Sequence, residues 1–138
     1  MKVTLLVEST IRDGDETQTA TQTANGFLRA CDNSLELTYR EDSGENGLGN
    51  TLTSLRVFDD RLELSRQGDY RCLLVLEVGA QHTCDYATPF GMLSLITDTT
   101  SFHSSLSKDG YGEVTVCYTL TAAGASTAHT LKVNVKAV

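Results

Sequence analysis

The sequence predicts an all-β protein, a single domain over residues 1–138 folded as an up-and-down antiparallel β-barrel of about ten strands. Apolar and polar residues alternate in nearly every segment, and no segment keeps a helical period over ten residues. The links between segments are too short for the crossovers that parallel strands need. A sheet of this size twists until its edges approach each other, and closure removes both exposed edges. A two-sheet sandwich is the alternative.

The clearest predicted strands turn one face towards a core and the other towards water. In "SLELTYRE", for example, Leu37 and Tyr39 share one face, whereas Glu36 and Thr38 lie on the other. The segments "RLELSR", "EVTVCYTLTA" and "TLKVNVKA" alternate in the same way. The predicted strands are residues 2–12, 16–31, 34–41, 51–58, 61–67, 70–77, 81–88, 91–104, 112–122 and 127–137.

The second strand has the weakest pattern. It begins with "TQTATQTA" (17–24), a duplicated tetrapeptide that is small and polar on both faces. Threonine is a good strand former, and the segment continues through Gly26 into Phe27 and Leu28. We therefore predict one long strand with a bend at the glycine.

Short turn signals separate the strands. Asp13-Gly14 is typical of a type I′ hairpin turn. In "TPFG", Pro89 takes the second position of a four-residue turn and Gly91 the fourth, which predicts a type I turn ending in the left-handed region. We interpret this proline as a hairpin corner. The longest link, "EDSGENGLGN" (41–50), is rich in glycine and acidic residues, which indicates an exposed loop.

Composition and charge exclude several classes of protein. Hydrophobic residues make up 40% of the chain, too many for a disordered protein. A formal net charge of -7 repels phosphate backbones and anionic lipids, so we expect no nucleic-acid and no membrane partner. The apolar run Leu5-Leu6-Val7 is too short for a signal peptide and is followed by Glu8, so we expect a cytoplasmic location.

Cysteine and histidine residues give weak indications of chemistry. Cys84 shares a strand face with His82, and the neighbouring strand offers Cys72, so three soft ligands could meet at a zinc ion. Structural zinc sites usually show paired short spacings, and the four cysteines show no C-x-x-C. We therefore expect free thiols, no metal and no other cofactor.

Catalytic motifs are absent from the sequence. It contains no G-x-S-x-G, no phosphate-binding glycine loop and no H-E-x-x-H. His103 and His129 lie in separate strands beside serines and threonines, which is ordinary composition. No enzyme class is predicted.

Four residues form the candidate ligand-binding site. Arg66 is in phase with the leucines before it on its strand, so alternation points it into the barrel, where a guanidinium needs a partner. The same argument points Tyr39, Tyr86 and Tyr118 inward, and together the four could line a pocket. In the alternative interpretation, the arginine reaches the rim of the barrel and the tyrosines fill its interior.

Three segments resemble a known family. "LSRQGDY" (64–70), "YATPFGMLSLITDT" (86–99) and "VTVCYTL" (114–120) are similar to the YwiB-like bacterial proteins, and the resemblance spans most of the chain. It implies a calycin-like (lipocalin-like) β-barrel in the bacterial cytosol, and it implies no activity. The best-matching residues are Arg66, Gly68, Tyr86, Thr88, Pro89, Gly91 and Tyr118.

Three hypotheses for function follow. The first is a binding module that holds a small amphipathic or anionic ligand near Arg66 and the inward tyrosines. The second is a structural or interaction protein with a packed interior. In that case the strands around 70–76 and 92–96, apolar on both faces, would form a homodimer or partner interface, with Leu73 and Leu93 in it. An enzyme of unknown class is a third reading.

Overall fold

The computed structural model describes residues 1–41 and 50–138. Within these residues the alternating segments form ten β-strands, so the predicted strands are all present and their ends agree to within two residues. The strands are β1 (Lys2–Asp13), β2 (Glu16–Ala30), β3 (Leu35–Arg40), β4 (Thr51–Val57), β5 (Arg61–Gly68), β6 (Cys72–Glu77), β7 (Gln81–Thr88), β8 (Gly91–Ser104), β9 (Gly112–Ala122) and β10 (Ala125–Ala137). No helix that could cross a membrane occurs in this part of the chain.

All ten strands belong to one sheet in the order β6-β5-β4-β3-β2-β1-β10-β9-β8-β7. Every ladder is antiparallel, and strands that are neighbours in sequence pair with each other except across the break between β6 and β7. The first and last strands pair from Val3↔Ala137 to Arg12↔Ala128. The up-and-down barrel is confirmed, and the sandwich alternative is wrong.

The barrel is nearly closed at the seam between β6 and β7. Near one end of the seam, the backbones of Arg71 and Ala87 exchange two hydrogen bonds of 2.9 Å. Further along, β8 makes the contact in place of β7: the hydroxyl of Thr97 donates to the carbonyl of Val75 at 3.2 Å, and the amide of Gly79 donates to the carbonyl of Thr99 at 3.1 Å. These contacts replace a continuous ladder.

The interior is solid at one end. Here inward leucines and valines interdigitate with almost no exposure to water, which is how an antiparallel barrel buries alternate residues. We call this the packed end; it lies towards the β4–β5 and β6–β7 turns. Its most deeply buried side chains are Val3, Leu5, Leu37, Leu55, Leu62, Leu76, Val114, Val116 and Val133.

Two turns bear on the sequence predictions. The type I′ turn at Asp13-Gly14 is wrong, because Asp13 still pairs with Glu16 and the loop is Gly14-Asp15. Gly14 has φ +61° while Asp15 has no positive φ, whereas type I′ needs both positive. The hairpin corner in "TPFG" is confirmed: Thr88 pairs with Gly91, whose φ is +130°.

The long second strand is confirmed, and its glycine has a steric cause. β2 pairs with β1 from Glu16 to Phe27, but with β3 only from Gly26 to Ala30. A Cβ at Gly26 would lie 2.6 Å from the carbonyl oxygen of Thr38 and 2.8 Å from Leu5 Cδ1. Close approach of neighbouring backbone and side chains therefore requires a glycine here.

Candidate ligand-binding cavity

A cavity of about 600 Å³ occupies the other end of the barrel. We call this the open end; it lies towards the β1–β2, β7–β8 and β9–β10 turns. A barrel of more than eight strands leaves room that its side chains do not fill. Most of the wall is apolar: Val7, Ile11, Leu64, Leu74, Leu93, Leu95, Leu120, Ala122 and Leu131. The four residues of the predicted site, Tyr39, Arg66, Tyr86 and Tyr118, all line this cavity.

Arg66 lies inside the barrel near the end of β5. Its Nη1 donates to the hydroxyl oxygen of Tyr86 at 3.1 Å, a contact that reaches from β5 to β7 across the seam. Its Nε is closed off from water and has no hydrogen-bond partner in the described part of the chain. Burial alone would lower the pKa of Arg66, but the neighbouring Tyr86 and Glu41 outweigh it and raise the pKa. The guanidinium is therefore charged and incompletely paired.

The three predicted tyrosines present neutral hydroxyls. Burial is the main cause that raises the pKa of Tyr39, Tyr86 and Tyr118 above the ordinary value, and the charge of Glu41 adds to it at Tyr39. Tyr39 is buried, and Tyr86 and Tyr118 are half-buried. Because the Tyr86 oxygen accepts from Arg66, its own hydrogen is available to another acceptor.

Glu41 is part of this cavity, although the sequence placed it both at the end of the predicted strand 34–41 and at the start of the predicted exposed loop 41–50. It follows the last residue of β3 and is buried, so its assignment to an exposed loop is wrong. Thr53 Oγ1 donates to its Oε1 at 2.7 Å, and Gln22 Nε2 donates to its Oε2 at 2.9 Å. Its inward direction could have been predicted from the sequence, because Glu41 is in phase with Leu37 and Tyr39 on the same strand face. Residues 42–49 of the predicted loop lie outside the described residues.

His129, which was interpreted from the sequence as ordinary composition, also lines the cavity. Its ring stacks on Tyr118 at 5.1 Å with an interplanar angle of 8°, and its Nε2 shares a hydrogen bond of 2.7 Å with Thr127 Oγ1. Burial, and then the charge of Arg66, lower the pKa of His129, so the ring is neutral at pH 7. Its phase with Leu131 and Val133 would have predicted the inward direction.

Tyr70 extends the aromatic wall outside β5. Its ring packs edge-on against Tyr86 with centroids 6.1 Å apart, and it lines the cavity. The sequence placed Tyr70 beside a turn, where alternation of strand faces does not predict which way a side chain points.

Five of the lining residues carry the polar groups described above, and we call them the polar cluster: Tyr39, Glu41, Arg66, Tyr86 and Tyr118.

The cysteine and histidine pattern forms no metal centre among the described residues. No group of three or more potential ligands occurs there. Cys72 and Cys84 pack against the core from β6 and β7, whereas His82 Nε2 bonds to Glu77 Oε1 at 3.1 Å. Burial raises the pKa of Cys72, so it stays a thiol, and all four cysteines are free.

A second depression of about 770 Å³ lies outside the packed end, between Phe58 and Phe102. Its charged side chains, Asp32, Asp59 and Lys108, are exposed to water, where ion pairs contribute little to binding. It has no buried polar group comparable with the polar cluster among the described residues. The cavity at the open end is therefore the better candidate.

Comparison with known proteins identifies the family. Residues 5–133 match the model of a domain of unknown function, DUF1934. The chain belongs to this family. It is 28% identical over 116 residues to the uncharacterized β-barrel protein YwiB of Bacillus subtilis (strain 168), which covers 84% of this chain and 79% of that protein.

A solved structure supports the fold independently. The crystal structure of the ywiB protein from Bacillus subtilis superposes with a TM-score of 0.85 and 23% identity, over 99% of this chain and 92% of that one. The resemblance stated from the sequence is thereby confirmed, as is the ten-stranded barrel. Neither relative's name states a ligand or an activity.

Proposed function

We propose that the protein is a binding module that holds a small anionic or amphipathic molecule in the cavity at the open end of the barrel. One observation carries the proposal: a charged guanidinium, Arg66, lies inside a largely apolar cavity with hydrogen-bond donors to spare. Small-molecule sites typically combine apolar walls with a few polar groups that fix orientation. A buried guanidinium with an unsatisfied N–H among the described residues is costly, which supports a role for it in ligand binding.

The first experiment is native mass spectrometry of the protein purified from a bacterial host. Binding predicts an adduct of discrete mass, and its composition names the ligand class. The same measurement on Arg66→Ala, checked for native fold by circular dichroism, should show the adduct reduced tenfold or more. A wild-type protein free of any adduct, which also binds nothing from a bacterial metabolite extract, would contradict the proposal.

The second candidate function is a protein–protein interface on the outer face of β6 to β8. Phe90, Met92 and Leu73 are exposed there by 93%, 66% and 52%. Leu93, which was predicted from the sequence to lie in this interface, is 48% exposed and also lines the cavity. If the surface joins two copies, Leu73→Glu with Met92→Glu should halve the mass measured by light scattering. A wild-type monomer at high concentration would exclude the homodimer.

A cytoplasmic location is part of the proposal. Four free thiols, of which burial keeps Cys72 protonated, are consistent with a reducing compartment. Cell fractionation with an antibody against the native protein tests it, and recovery outside the cytoplasmic fraction would contradict it.

A further inference from the structure

We infer that the ligand is a monoanion, a carboxylate on an apolar alkyl or aromatic body, and that Arg66 and the hydroxyl of Tyr86 bind its two oxygens. The inference rests on the proposed function and specifies the chemical class of its ligand. It follows from the donors, the charges and the walls of the cavity.

The polar cluster has more donors than acceptors. Both oxygens of Glu41 already accept hydrogen bonds, from Thr53 and from Gln22. Arg66 carries five N–H donors; one is used on Tyr86 and the side chain also interacts with the Cys72 thiol, while Nε has no partner among the described residues. The Tyr86 hydroxyl, having accepted that bond, can donate its own hydrogen. A ligand that completes the cluster must therefore bring acceptor oxygens.

The charged side chains that line the cavity limit the ligand to a single negative charge. Among the described residues that line the cavity, the acidic and basic side chains are Arg66 and Glu41, and the lowered pKa of His129 leaves its ring neutral at pH 7. Glu41 already offsets part of the Arg66 charge, so the cavity favours the anion of smallest charge, and a carboxylate matches the planar fork of the guanidinium. The second charge of a phosphate monoester would face Glu41 with no further cation in this lining.

The walls define the rest of the ligand. Beyond the polar cluster the lining is mainly leucine, isoleucine and alanine side chains, including Ile11, Leu120 and Ala122, and its uncharged polar members include Ser9, Gln18 and Thr19. The larger, apolar part of this surface offers no hydrogen-bond partners, so polar groups of a ligand that lie against it would lose hydration. An alkyl or aromatic body instead gains by burying apolar surface.

The test compares four probes of equal chain length by isothermal titration calorimetry: decanoate, decyl sulfate, decyl phosphate and decanol. The wild type should bind decanoate at least tenfold more tightly than decyl phosphate or decanol, with decyl sulfate between them. Arg66→Met and Tyr86→Phe should each remove most of this preference while retaining decanol binding. Arg61→Met is the matched control, because Arg61 lies on the same strand but stacks on Phe58 away from the cavity.

The outcomes separate this inference from the proposed function. Equal or tighter binding of decyl phosphate would overturn the single-charge argument, but the cavity would still be a binding site. Equal binding of all probes, unchanged in Arg66→Met, would overturn the role of the polar cluster. If none of the four probes binds while native mass spectrometry finds another molecule bound, the assignment of a carboxylate ligand would be overturned, but the proposed binding function would stand. Failure of the probes and the absence of any adduct would overturn both.

Discussion

Replacing Arg66 by methionine separates a ligand-binding role from a structural one. The guanidinium donates to Tyr86 at 3.1 Å, and its Nε has no partner among the described residues. A hydrogen bond from a charged group contributes about 1.5–3 kcal/mol to stability. Desolvation of the charge costs several kcal/mol and offsets that gain, while the methionine keeps the apolar stem. We therefore expect the free energy of unfolding of Arg66→Met to lie within about 1 kcal/mol of the wild-type value.

Tyr86→Phe should behave differently, because it removes the acceptor and leaves the charge. We expect a loss of about 1–3 kcal/mol, the cost of leaving a buried donor unsatisfied. The double variant, Arg66→Met with Tyr86→Phe, should have the same free energy of unfolding as Arg66→Met, because the phenyl ring then packs against an apolar side chain. Urea unfolding, followed by far-ultraviolet circular dichroism, measures all three. A loss of 3 kcal/mol or more in Arg66→Met, with an unchanged m-value, would show that Arg66 ties β5 to β7 and that its charge needs no ligand.

Three further predictions concern stability. Burial lowers the pKa of His129 in the folded protein, so on acidification the histidine is protonated in the unfolded chain at a higher pH than in the folded one. The contribution of the neutral ring to stability should therefore be fully present above about pH 6.5, the ordinary histidine pKa. The free energy of unfolding should fall as the pH drops from there towards the lowered pKa. His129→Gln should flatten that slope in urea titrations, and His103→Gln, an exposed control, should not. Leu55→Ala at the packed end should cost about 2–5 kcal/mol, whereas Leu120→Ala at the cavity wall should cost less, because space already exists there. Gly26→Ala should cost about 1–3 kcal/mol through overpacking.

Each of these has a result that would contradict it. An unchanged pH slope in His129→Gln would mean that the ring is hydrated in the folded state. Equal losses in the two leucine variants would mean that the cavity closes around its walls, so the interior would be solid at both ends. An unfolding midpoint of Gly26→Ala equal to that of the wild type would mean that β2 and β3 can move apart at no cost in stability.

Strand periodicity predicted which way most site residues point. A residue in a strand alternates faces, so the phase of Arg66 with Leu64 and of Tyr39 with Leu37 placed both inside. The prediction for Glu41 was wrong because the loop-like composition of its neighbours was given more weight than its alternation phase. Glu41 follows the end of β3 and precedes a glycine-rich segment, which suggested a loop, although its phase pointed inward.

Other features depend on quantities that a single sequence does not contain. The division into a packed and an open end depends on strand tilt and stagger, which decide how far opposite walls lie apart. The position of the seam depends on where twist leaves β6 and β7 too far apart for a ladder, and both have ordinary strand patterns. The contact from Arg66 to Tyr86 crosses this seam, so the sequence could predict its two residues but not their pairing.

The most direct test of the central claim is a nuclear magnetic resonance titration that follows the Arg66 side-chain Nε–H and the Tyr86 ring carbons as decanoate is added. If the cavity binds an anion through the polar cluster, both sets of resonances should shift and saturate with one equivalent of ligand, while those of Arg61 and Phe58 should stay in place. Saturable shifts confined to Phe58, Phe102 and Lys108 would place the ligand in the depression outside the packed end and would contradict the claim.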